Sequence, residues 1–131
     1  MITIRLFLHV LAASIWVGGQ IVLVGVVPAI RTSHPDATKL VAKAYARIAW
    51  PAFAVVVVTG LWNLSEVPVS DSGTDYQITL FVKITLAIVS GAAVAVHQVG
   101  RSKVALAVGG AVGFLAALGA MYLGFLLRTG T

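Results

Sequence analysis

The chain has 131 residues, of which 60% are hydrophobic and only 10% are charged. A soluble domain of this size needs far more polar surface, so the composition excludes a water-soluble globular fold. The sequence contains no cysteine, which excludes disulfides, thiolate metal sites and covalently attached c-type haem. The net charge is +5. The basic residues flank apolar segments, so they indicate contact with anionic lipid and no binding of nucleic acid.

Four apolar segments follow one another along the chain, each near or above the roughly 20 residues that a helix needs to cross a bilayer. Backbone polar groups in lipid must be satisfied within the segment, so these segments predict an all-α integral membrane four-helix bundle in a single domain. Small residues of the last helix, such as Gly109, Gly113 and Ala117, favour close packing on another helix of the chain or, equally, on a second chain in a homodimer. The predicted spans are 4–30, 45–64, 78–99 and 104–127.

Charged residues divide unevenly among the three connections between these spans. The first and third connections are basic, whereas the second is acidic and has no basic residue. The positive-inside rule then predicts a multi-pass membrane protein whose first and third connections lie in the cytoplasm and whose two termini lie outside. The residues concerned are Arg31, Lys39, Lys43 and Arg47 in the first connection, Glu66, Asp71 and Asp75 in the second, and Arg101 and Lys103 in the third.

Polar side chains within the predicted spans share narrow faces. His9 and Trp16 are seven residues apart in the first span, and Lys83, Ser90 and His97 follow the same spacing in the third. Residues seven apart lie nearly on one face of a helix. Ionisable residues within a membrane usually face the interior of a bundle and mark a functional site, so we expect a site on each of these faces.

His9 is the strongest candidate ligand, because small residues border its face and Arg5 lies one turn nearer the water. An imidazole in an apolar cleft beside a cation favours a b-type haem, whose iron takes the imidazole nitrogen and whose propionates pair with Arg or Lys. His9 is expected in the outer leaflet and His97 near the cytoplasmic end, roughly 20 Å apart in depth. One iron cannot take both histidines of one chain, which predicts one haem or an outer and an inner haem.

The other candidate residues divide between those two depths. At the outer level, Arg5 or Lys83 would pair with the propionates, Asn63 lies nearby, and Lys83 or Met121 would supply a sixth ligand. At the inner level, Arg47 or Arg101 would pair with the propionates of a second haem. An open sixth position favours a haem-dependent oxidoreductase acting on oxygen or nitric oxide, such as a nitric oxide dioxygenase. Two filled positions favour electron transfer across the membrane from a donor that the sequence does not identify.

Three stretches, "LHVLAASIWVGG", "VTGLW" and "FVKITLAIVSGAAVAVH", resemble the CopD-like family of bacterial membrane proteins and, more distantly, the four-helix membrane protoporphyrinogen oxidase HemJ. The resemblance covers the first three spans and implies that His9, Trp16 and Lys83 handle haem, porphyrin or copper. Copper uptake or tolerance is therefore the first alternative, with copper bound at His9 and the free amino terminus. The second alternative is a structural membrane subunit that packs through the small residues of the last helix.

Overall fold

The computed structural model describes residues 2–129, and within them the chain forms four long α-helices and one short 3-10 helix, with no β-strand. Each α-helix is long and apolar enough, by length and composition, to cross a membrane. The predicted all-α fold with four membrane-length helices is therefore confirmed. In chain order the elements are α1 (Ile2–Ser33), α2 (Ala37–Glu66), the 3-10 helix Val69–Asp71, α3 (Thr74–Val99) and α4 (Lys103–Thr129).

The helices are longer than the predicted spans, most of all at the start of α2. We expected the basic segment before residue 45 to be a loop, yet α2 begins at Ala37 and only residues 34–36 separate it from α1. The segment "ATKLVAKA" is rich in alanine, leucine and lysine, which are strong helix formers, so it continues the apolar helix as a basic one. Lys39, Lys43 and Arg47 are therefore helical residues.

The first of two compact units runs through Val67 and contains α1 and α2. Residues from the start of α1 contact the end of α2, so the two helices form an antiparallel pair around a tight connection. Alanines at the interface let the helices approach closely, since Ala12, Ala49 and Ala52 are all buried. Gly19 has the same role, because a Cβ atom there would overlap the ring of Tyr45.

The second unit begins at Pro68 and contains α3 and α4, which also pair antiparallel. The contact runs along the predicted small-residue ridge of α4. A Cβ atom on Gly109 would lie 2.9 Å from the carbonyl oxygen of Ala93 and 2.9 Å from the amide nitrogen of His97. A Cβ atom on Gly113 would lie 2.8 Å from the Val94 side chain. The expectation that this ridge packs on a helix of the same chain is confirmed, and packing on a second chain stays a prediction.

Candidate functional site

His9 is held at the interface of α1 and α2 by a short chain of hydrogen bonds. Its Nδ1 atom lies 2.8 Å from Oγ1 of Thr59, and that hydroxyl donates to the carbonyl oxygen of Val55 at 2.6 Å. A hydroxyl has one proton, so Thr59 accepts from His9 and the imidazole proton is assigned to Nδ1. In this tautomer the ring's lone pair is on Nε2. Gly60 leaves room beside the ring, since a Cβ atom there would lie 3.6 Å from Cε1 of His9.

Arg5 lies one turn before His9 and is buried, with 8% of its surface exposed. Its guanidinium Nη1 atom is 4.0 Å from Oε2 of Glu66, and its Cζ atom is 5.9 Å from the centre of the Trp62 ring. Within residues 2–129 the buried Nε atom has no hydrogen-bond partner, and neither has the buried Oδ1 atom of Asn63. Arg5, Trp62 and Glu66 line, together with Ile2, a cleft of about 520 Å³. This end of the α1–α2 pair therefore holds a buried cation with an unused donor.

Trp16 occupies the middle of the α1–α2 interface. Its ring packs edge-on against Trp50, with 5.2 Å between centroids, and tilted against Phe53 at 4.5 Å. Its backbone carbonyl accepts hydrogen bonds from the Tyr45 hydroxyl at 3.2 Å and from the Gln20 amide at 3.0 Å. The structure thus gives Trp16 a packing role that the sequence did not reveal, and Trp50 is part of the same aromatic cluster.

The polar face of α3 lies against α4. Ser90 is fully buried and donates to the carbonyl oxygen of Gly113 at 2.7 Å. Nδ1 of His97 is 2.6 Å from the carbonyl oxygen of Leu106, which can only accept, so Nδ1 carries the proton. The stem of Lys83 approaches α4, since a Cβ atom on Gly124 would lie 3.2 Å from its Cε atom. The spacing of seven residues therefore correctly predicted that Lys83, Ser90 and His97 share one face of α3. Glycines of α4 leave space for that face.

The predicted site residues fall into two groups, one in each unit. Arg5, His9 and Asn63 lie at the same end of the α1–α2 pair, where the contacts described above bring Arg5 and His9 to neighbouring turns. Lys83 and His97 lie in the α3–α4 pair, as does the half-buried Met121. Arg47 is exposed on α2, in the same unit as His9 but near the opposite end of the helix. Met1, whose amino group was a candidate copper ligand, lies outside the described residues.

Two residues of this region were not predicted as partners. Thr59 was not identified as the acceptor for His9, and Glu66 was assigned only to the second connection. A signal for both existed in the sequence. In an antiparallel pair closed by a short turn near residue 35, positions 9 and 59 face each other, as do positions 5 and 66. The turn was not predicted, because the whole basic segment that follows it was expected to be a loop.

Comparison of the chain with protein-family models, with curated proteins and with solved structures found no match. The resemblance to CopD-like proteins and to HemJ therefore remains a sequence-based expectation. Residues 2–129 also contain no group of three or more His, Cys, Asp or Glu side chains that could hold a metal ion.

Proposed function

We propose that this chain is a multi-pass protein of the bacterial inner membrane that holds a b-type haem through Nε2 of His9 and serves redox or gas chemistry. The observation that carries the proposal is the relay from His9 through Thr59 to the Val55 carbonyl. Metal-ligating histidines almost always donate their other ring N–H to a fixed acceptor, which sets the tautomer and the ring orientation. His9 has such an acceptor, and the same relay leaves the lone pair on Nε2.

The cation beside His9 also fits this cofactor. A haem brings two carboxylates, and a buried guanidinium with an unused donor is the group that would pair with one of them. Arg5 supplies that group one turn from His9, with its Nε atom unpartnered within residues 2–129. Glu66 and Trp62 keep the guanidinium in place at 4.0 Å and 5.9 Å. The Asn63 amide, whose Oδ1 atom is likewise buried without a partner, supplies a further polar group at this end.

Haem bound here would supply reversible one-electron chemistry or a binding position for oxygen or nitric oxide. The residues of the chain would hold the ring nitrogen in one orientation and neutralise a carboxylate. The aromatic cluster around Trp16 would keep α1 and α2 in register below the site. A second haem at His97, with Arg47 or Arg101 as its carboxylate partner, stays a prediction, as do the roles of Lys83 and Met121 as sixth ligands. Copper binding at His9 and a purely structural role stay the alternatives.

The test is the absorption spectrum of the detergent-purified protein, oxidised and then reduced with dithionite, with and without carbon monoxide. The proposal predicts a Soret band after expression with haem supplied. Sharp reduced bands that carbon monoxide leaves unchanged would indicate two axial ligands and electron transfer, whereas a shift would indicate an open position and gas chemistry. A protein without a Soret band that binds copper instead would replace the haem proposal with the copper alternative.

A further inference from the structure

A row of three cations lies along the first turns of α2. Lys39, Lys43 and Arg47 follow at intervals of four residues, so they share one side of the helix, and all three are exposed. The contacts with α1 at this end come from other positions. Tyr45 reaches the carbonyl oxygen of Trp16 in α1, and Ala49 is fully buried. The row is therefore available to a partner outside the α1–α2 interface.

The helix that carries this row is longer than a bilayer requires. With 30 residues α2 is about 45 Å long, whereas the hydrocarbon core of a bilayer measures about 30 Å. Residues 48–65 of α2 carry no charge and extend about 27 Å, which matches the hydrocarbon core. Residues 37–47 extend about 16 Å further. Residue 47 therefore lies at the depth of the lipid headgroups, and the segment extends from there towards residue 37 into the water.

Among the described residues, no carboxylate forms an ion pair with the cations at this end. The first turn of α2 contains no acidic residue, and the N-cap residue Asp36 makes no capping hydrogen bond through its side chain. Within residues 2–129 the only ion pair joins Arg5 to Glu66, at the other end of the helices. Arg31 adds a further cation in the last turn of α1. The positive end of the helix dipole and this set of cations both favour an external anion.

We propose that the row of Lys39, Lys43 and Arg47 binds the phosphate groups of anionic phospholipids. The row extends about 12 Å along the helix axis, which is long enough to contact more than one headgroup. The row lies at headgroup depth because the adjoining uncharged residues 48–65 fill the hydrocarbon core. Its positive charge is opposite to that of phosphatidylglycerol or cardiolipin. Clusters of basic residues next to a membrane helix attract such lipids. The proposal holds whether or not haem binds at His9, and it assigns Arg47 to lipid instead of to the propionates of a second haem.

Native mass spectrometry of the full chain in detergent tests this directly, with phosphatidylglycerol and phosphatidylcholine of identical acyl chains as probes. Each basic residue near a membrane surface contributes about a fivefold preference, so the three together predict a preference for phosphatidylglycerol of roughly 100-fold. The triple variant K39Q/K43Q/R47Q should remove most of that preference. The control R101Q/K103Q/R128Q removes the same charge from exposed positions that form no row along one helix, so it should lose clearly less of the preference.

Equal binding of the two lipids by the unmodified protein would overturn the proposal. So would an equal loss in both triple variants, because net charge and not this row would then account for the preference. Circular dichroism checks that each variant keeps its helices. If the triple variant does not fold, the single variant Lys43→Gln decides, with a loss of about fivefold expected. A preference unchanged in that variant would refute the assignment.

Discussion

Replacement of Thr59 with valine would test whether the hydrogen bond to His9 prepares a metal ligand. Thr59 is 3% exposed, and valine has nearly the same shape, so the packing between α1 and α2 should be preserved. The substitution removes the acceptor that lies 2.8 Å from Nδ1 of His9. Nδ1 would then lose this acceptor, and the hydrogen bond would no longer hold Nε2 as the lone-pair atom.

The expected loss of haem affinity follows from the role of Thr59, which would hydrogen-bond to the proposed ligand His9 without contacting the metal itself. Loss of such a supporting group typically lowers metal affinity by about 10- to 100-fold. That factor corresponds to a loss of about 1.4 to 2.7 kcal/mol in binding free energy.

The assay is a titration of haem-free protein with haem, followed by the growth of the Soret band. Two further variants serve as controls. Thr59→Ser keeps the hydroxyl and should restore most of the affinity. Thr85→Val removes a threonine that donates to the carbonyl oxygen of Phe81 at 2.9 Å but is exposed, and it should leave the affinity unchanged. Haem affinity in Thr59→Val equal to that of the unmodified protein would refute the role assigned to this hydrogen bond.

Three further predictions concern packing and topology. Ser90→Ala removes a buried interhelical hydrogen bond and should lower the unfolding free energy of the protein in detergent by about 0.6 kcal/mol, with about 1.7 kcal/mol as the upper bound. Gly109→Ala places a methyl group against the backbone of α3 and should cost about 1 to 3 kcal/mol, whereas Gly18→Ala meets nothing within 4 Å and should cost nothing measurable; equal melting temperatures would contradict this. The chain has no cysteine, so single cysteines report topology on a clean background. A membrane-impermeant maleimide should label Ser70→Cys in intact cells but Ser102→Cys only after permeabilisation, and the reverse would invert the proposed orientation.

The sequence predicted the helices well because four apolar segments of membrane length are a strong signal. It predicted the start of α2 poorly, because exposed cations on a helix that leaves the membrane have the same composition as a polar loop. The preference of alanine, leucine and lysine for helix was the available signal at residues 37–44. Because residues 37–44 were expected to be a loop, the tight turn that sets the register between α1 and α2 was not predicted either.

The candidate site was predictable as a set of faces but not as a set of contacts. Spacing placed His9 and Trp16 on one face of α1, yet their neighbours depend on the register of α2. The structure puts Thr59 beside His9, and Trp50 and Phe53 beside Trp16, so one residue of the face makes a polar contact with α2 and the other packs in an aromatic cluster. The small-residue ridge of α4 likewise predicted close packing without indicating its partner, which is α3.

The most direct test of the central claim is the haem content per chain of the purified protein and of two histidine variants expressed with haem supplied. His9→Ala removes the proposed ligand, and His34→Ala removes an exposed histidine in the connection between α1 and α2. If His9 holds a haem, the unmodified protein and His34→Ala contain haem, and His9→Ala loses the haem held by His9. The helix content should be unchanged in both variants. Full haem content in His9→Ala would contradict the assignment of His9, and a haem-free unmodified protein would contradict the proposed function itself.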